Sequence, residues 1–89
     1  MPLFRLCITT PSGTAFDGEI YRFSCRGVSG DFAVMAGHVP FVTYVKEGAC
    51  HITDRDGNVR YAETSGGLIT IGRDTTYFLP TEFRFCDEA

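Results

Sequence analysis

Eighty-nine residues, 44% of them hydrophobic and including eight Phe and four Tyr, hold enough apolar mass for one packed core and exclude a disordered chain. Eleven acidic and eight basic residues give a net charge of −3 with no basic stripe, which excludes the phosphate-neutralising surface that nucleic-acid binding requires. A domain of this size buries only about 60% of its unfolded surface, so a partner is expected to add to its stability. Taken in order, residues 3–9 alternate Phe4, Leu6 and Ile8 with Arg5, Cys7 and Thr9, the period of two that makes an opening strand. Pro11-Ser12-Gly13 ends it, residues 14–16 form a short second strand, and Asp17-Gly18 predicts a turn. Residues 19–26 return with Tyr21, Phe23 and Cys25 on one face and Arg22, Ser24 and Arg26 on the other.

The central stretch from Gly27 to Thr43 reads as turn, short strand, turn and extended arm. Gly27 and Gly30 suit the positive φ of a tight turn, Phe32 and Val34 alternate with Asp31, Ala33 and Met35, and Pro40 drives Val39 extended. Residues 41–45 continue as a strand, Lys46-Glu47-Gly48 turns, and residues 49–53 pair with 59–63 across Asp54-Arg55-Asp56-Gly57-Asn58. Ser65-Gly66-Gly67 leads into a strand at 68–71, another follows at 75–79, and Pro80 closes it. The tail from Thr81 to Ala89, with Phe83, Phe85 and Cys86 before Asp87-Glu88-Ala89, reads as a last edge strand, with a frayed end as the alternative. No segment shows helical apolar spacing, so the chain is expected to be all-β: one domain over residues 1–89, a flattened sandwich or barrel of about ten short strands. No window approaches the ~18 apolar residues of a membrane span and no signal peptide opens the chain, so a soluble, unexported protein is expected.

Catalytic and metal readings fail on geometry. Cys50 and His51 are strand neighbours and so point to opposite faces, which keeps them from meeting as nucleophile and base. Ser65-Gly66-Gly67 feeds a strand rather than the helix N-terminus a phosphate loop needs. Asp54, Asp56 and Asn58 imitate a calcium loop, but its twelfth position is Ser65 where a Glu is required. Cys7, Cys25, Cys50 and Cys86 contain no C-x-x-C pair and are expected to be free, mostly buried thiols. No catalytic, cofactor or metal residue is expected. The arm Gly37-His38-Val39-Pro40-Phe41 can present alternating bulky side chains to a partner or turn them into the core, and the residues alone leave both open.

The run Gly27-Val28-Ser29-Gly30-Asp31-Phe32-Ala33-Val34-Met35-Ala36-Gly37-His38-Val39-Pro40-Phe41, with Lys46-Glu47-Gly48 and then Ser65-Gly66-Gly67-Leu68, resembles the signature of the epsilon subunit of rotary ATP synthases. The resemblance covers most of the chain from Pro11 to Leu79. It implies an amino-terminal β-sandwich and a non-catalytic role in the central stalk, joining the gamma subunit to the c-ring so that proton- or sodium-driven rotation reaches the catalytic head. It implies gamma contacts at His38, Val39, Pro40, Phe41, Val42 and Thr43, and c-ring contacts at Ser29, Gly30 and Asp31. It further implies membrane contact only through the complex, on the cytoplasmic side of the plasma membrane. The family's usual Leu-Pro-Gly-His or Tyr-Pro-Gly-His is Met35-Ala36-Gly37-His38 here, and its next Ala and Leu positions are Val39 and Phe41. Most members continue into a carboxy-terminal helical hairpin that can inhibit ATP hydrolysis; nothing like it follows Ala89, so this chain is not expected to act as that switch. The alternative from another class is a small β-sandwich module that binds a ligand or peptide through a pocket or a free edge.

Overall fold

A computed structural model describes residues 2–86; Met1 and the tail Asp87-Glu88-Ala89 lie outside the described residues. Ten strands follow one another: β1 (Phe4–Thr10), β2 (Gly13–Ile20), β3 (Arg22–Gly27), β4 (Gly30–Met35), β5 (Phe41–Val45), β6 (Gly48–Thr53), β7 (Val59–Thr64), β8 (Gly67–Ile71), β9 (Thr75–Pro80) and β10 (Phe83–Cys86). There is no helix among the described residues. The ladder runs through all ten strands but narrows to the single pair Gly27 and Val45 between β3 and β5. That waist divides it into two five-stranded sheets, β4-β3-β6-β7-β10 and β5-β8-β9-β1-β2. Every pairing is antiparallel except β1 with β9.

The two sheets close face to face on a dry core. The first contributes Phe23, Cys25, Val34, Cys50, Ile52 and Ala62, and the second Leu6, Ile8, Ile20, Ile69, Ile71 and Phe78. Phe23 and Phe78 meet across the middle with ring centroids 5.8 Å apart. Full burial of each large aliphatic or aromatic side chain stabilises the fold by about 1.5–3 kcal/mol. On one side the seam between the sheets is closed by Phe16 of β2 against Phe85 of β10, edge to face at 6.2 Å. Burial pushes the Cys25 and Cys50 thiols up to about 12, so they behave as neutral core filler, and all four cysteines are free.

One expected turn is absent. Asp17 and Gly18 do not reverse the chain; they lie inside β2, opposite Cys7 and Leu6 of β1. Pairing overrides the local preference: β2 runs the length of β1 in a seven-pair ladder that buries Ile20, and the exposed Asp17 carboxylate accepts two bonds from the Arg5 guanidinium, at 2.8 and 2.7 Å, across it. The chain bends instead at Tyr21, where it passes from the second sheet to the first, and the Tyr21 amide donates to the Thr53 carbonyl at 2.8 Å. The hairpin expected between residues 14–16 and 19–26 is therefore replaced by two, β1 with β2 and β3 with β4. Pro80 closes β9 as expected, as its last and buried residue. The 54–58 turn forms as expected. The Asp54 carboxylate accepts from the amides of Asp56 and Asn58 at 2.9 Å each, and these bonds outweigh its desolvation to hold its pKa below the usual range.

The Ser65-Gly66-Gly67 turn carries the chain from the first sheet to the second and packs tightly against the end of β5. Gly66 has φ +85°, and a Cβ there would lie 2.5 Å from the Val45 carbonyl oxygen and 2.9 Å from the Glu47 amide nitrogen. Both obstacles are backbone, so neither can swing away. Gly66→Ala is therefore expected to lower the unfolding free energy by at least about 2 kcal/mol, the left-handed penalty alone accounting for 1–2 of it. Urea denaturation of the variant beside wild type measures this; an unchanged midpoint would contradict the close approach.

Candidate partner-docking interface

The outer faces of the two sheets differ in chemistry. On the first, the register aligns Ser24, His51 and Tyr61 across β3, β6 and β7, with Arg22 beside Thr53. His51 packs edge-on against Tyr61, 4.7 Å between centroids, and points away from the buried Cys50. This is a solvated, mostly polar surface, with Met35 and Val59 exposed at the two ends of the Arg22 and Thr53 row. On the second sheet, the register aligns Val42 of β5 with Thr70 of β8 and Tyr77 of β9, and Tyr44 with Leu68 and Leu79. Over β5, β8 and β9 that surface is largely apolar, and it stands in water: Val42 and Tyr44 are each 59% exposed, Tyr77 46% and Leu79 50%. Beyond Tyr77 the register continues to Cys7 and Asp17, and the face turns polar with the Arg5–Asp17 ion pair. An open hollow of about 670 Å³ lies at one end of it, lined by Val28, Tyr44, Leu68 and Leu79 and by the Gly66-Gly67 turn.

The arm feeds directly into this face. After β4, the His38 amide donates to the Met35 carbonyl at 3.1 Å and closes the turn. The His38 ring donates from Nδ1 to the Val39 carbonyl at 2.8 Å and stacks on Phe41, 5.1 Å between centroids. Val39, 73% exposed, and Pro40 then project into solvent and Val42 joins the outer face, whereas Phe41, 39% exposed, and the half-buried Thr43 lie on the opposite side of β5, towards the seam. The open question left by the residues is thereby resolved: Val39 and Phe41 lie outside the core.

The other expected set sits at the tip of the β3–β4 hairpin. Val28, Ser29, Gly30 and Asp31 are all exposed there, and the Asp31 carboxylate only loosely approaches Arg26 at 3.9 Å. Gly30 has the positive φ expected of it, whereas Gly27 does not. Gly27 is required for room instead, since a Cβ would lie 2.8 Å from the Phe32 ring. The fold brings the tip and the arm together: Ser29, Gly30 and Asp31 border one cavity of about 220 Å³ with Phe32, Phe41 and Thr43.

The Ser65-Gly66-Gly67 turn binds its own chain. The Ser65 amide donates to the Glu82 carbonyl at 3.1 Å, and the Thr64 hydroxyl donates to the same carbonyl at 2.9 Å. The Glu82 amide in turn donates to the Ser65 hydroxyl at 3.0 Å.

Residues 3–82 match the model of the β-sandwich domain of the ATP synthase delta/epsilon chain. The chain belongs to that family. It is 33% identical over 78 residues to the ATP synthase epsilon chain of Clostridium perfringens, covering 88% of this chain and 59% of that one. It is 37% identical over 76 residues to the sodium-ion-specific ATP synthase epsilon chain of Acetobacterium woodii, covering 85% and 57%. The chain thus spans less than two thirds of these delta/epsilon relatives. Its fold is similar to a chain in the cryo-EM structure of the Euglena gracilis mitochondrial ATP synthase, with TM-score 0.91, 18% identity and coverage of 100% of this chain and 57% of that one. A chain in the central stalk and c-ring of the Tetrahymena thermophila mitochondrial enzyme gives 0.74 at 13% identity, covering 90% and 64%.

Tyr44, Tyr77 and Leu79 were not among the residues expected from the resemblance, although the sequence carried a signal. Strands β5 and β9, Phe-Val-Thr-Tyr-Val and Thr-Thr-Tyr-Phe-Leu-Pro, carry no charge at either set of alternate positions, the pattern of a strand covered on both sides. If the outer face awaits a partner, removing its apolar groups should cost the isolated chain little. Tyr77→Ser with Leu79→Ser is expected to change the unfolding free energy by under about 1 kcal/mol, whereas Ile69→Ala on the inner face should cost roughly 2–5 kcal/mol. Paired urea titrations test this, and comparable losses on the two faces would contradict it.

Proposed function

We propose that this domain is a non-catalytic part of the central stalk of an ATP synthase, joining the gamma subunit to the c-ring so that ion-driven rotation is coupled to ATP synthesis. The observation that carries the reading is the β5-β8-β9 part of the second sheet, whose outer face is apolar and exposed at Val42, Tyr44, Tyr77 and Leu79, beside the Arg5–Asp17 ion pair of β1 and β2. Single exposed apolar residues are ordinary, but a contiguous band rimmed by polar residues marks a protein interface. Its continuity with His38, Val39, Pro40, Phe41, Val42 and Thr43 makes the arm and this face one docking surface for gamma.

Ser29, Gly30 and Asp31 form the second contact, at an exposed polar hairpin tip suited to the polar loops of the c-ring. A stiff sandwich serves such a joint because its local openings are costly compared with those of a lone hairpin or helix pair. The domain works within a membrane-associated complex, on the cytoplasmic side, and touches the membrane only through its partners. Membership of the delta/epsilon family and the similarity to ATP synthase epsilon chains support this reading.

Phe41→Asp places a charge in the proposed apolar contact without touching the core. Its affinity for isolated gamma is expected to fall by about 2 kcal/mol or more while its circular dichroism stays that of wild type. A folded Phe41→Asp variant that captures gamma with wild-type affinity would place the contact elsewhere.

A further inference from the structure

Edge strands expose unpaired main-chain N–H and C=O groups, and proteins blunt them with charge, Pro, Gly, bulges or brevity. Three of the four edges here are blunted. β2 carries Asp17, Gly18 and Glu19, and its pairing with β1 is broken by a bulge at Ile8/Thr9. β10 is four residues long with Arg84 in it, and β4 opens with Gly30 and Asp31. β5 has no such protection: Phe41-Val42-Thr43-Tyr44-Val45 contains no charge, Gly, Pro or bulge. All five of its residues pair with β8 on one side. On the other, only Val45 meets a strand, at Gly27, so Phe41 to Tyr44 have no strand partner along that edge among the described residues.

The side chains beside this edge alternate in a way that suits one kind of occupant. Val42 and Tyr44 point to the exposed apolar face, whereas Phe41 and Thr43 point towards the seam and border the 220 Å³ cavity with Gly27 and Phe32. The neighbouring charges balance at the Val45 end, where Arg26 approaches Asp31 and the amide of Lys46, which precedes Glu47, donates to the Arg26 carbonyl at 2.7 Å. A row of main-chain donors and acceptors repeating about every 3.4 Å is matched only by another extended main chain.

We infer that β5 is a strand-addition site: an extended, uncharged segment of the stalk partner hydrogen-bonds along Phe41–Tyr44 as an extra strand. Its side chains alternate between the seam cavity and the apolar outer face. The inference rests on the central-stalk reading and names gamma as the source of the segment. It adds a binding mode in which affinity comes from main-chain bonds and selectivity from alternate side chains.

The test is amide hydrogen exchange, read by NMR on the isotope-labelled full chain, free and in complex with gamma. The amides of residues 41–44 that point away from β8 are expected to exchange freely in the isolated chain and to slow by about 100-fold or more in the complex, while the outward amides of β4 keep their free rates. A complex that leaves those β5 amides at their free rates would overturn strand addition and leave docking by side chains alone. Failure to form any complex would overturn the central-stalk reading and this inference with it. Protection that appears without gamma and rises with the chain's own concentration would make a second copy the occupant and would likewise overturn it.

Discussion

Holding Val42, Tyr44, Tyr77 and Leu79 in water forgoes the burial of four large side chains, each worth about 1.5–3 kcal/mol when taken fully out of solvent. A small sandwich has little stability to spare, since its whole folding free energy is only several kcal/mol. Over β5, β8 and β9 the second sheet nevertheless keeps its outer face largely apolar, while the first sheet keeps its own mostly polar, with Arg22, Ser24, His51 and Tyr61. The asymmetry fits a sheet whose second covering comes from another chain. The domain then gains by docking what it lacks alone, at the cost of an exposed apolar band in the isolated state.

That face lies where a docking surface needs to be because the two sheets are joined at one narrow place. The ladder thins to Gly27 and Val45, and the two elements leaving that waist are the β3–β4 hairpin tip and strand β5. Room there depends on the absence of side chains. Gly27 admits the Phe32 ring, and Gly66 admits the Val45 carbonyl. The expected gamma-contacting arm and the expected c-ring-contacting tip thus border one cavity. Force entering at one contact would have only a short, hydrogen-bonded path to the other.

Much of the fold was legible in the sequence, because turns and alternation are local signals. The hairpin over residues 49–63 follows from Asp54, Asp56 and Gly57, and the β4 strand from its flanking glycines. What misled was Asp17-Gly18, a strong local turn signal overruled by the pairing of β2 along the whole of β1. Pairing across the sheet, including the parallel contact of β1 with β9, has no local signature at all. At the interface, the glycines, His38 and Phe41 stood out through their spacing. Tyr44, Tyr77 and Leu79 did not, because an apolar residue in a strand says nothing of which face it occupies until the register is fixed.

The central claim is that the outer face of the second sheet is the surface gamma covers. Covalent footprinting of the chain, alone and bound to gamma, reads this residue by residue. The account predicts that Tyr44, Tyr77 and Leu79 lose most of their labelling in the complex while His51 and Tyr61 on the opposite sheet keep theirs. Protection of His51 and Tyr61 with Tyr44, Tyr77 and Leu79 still labelled would contradict it.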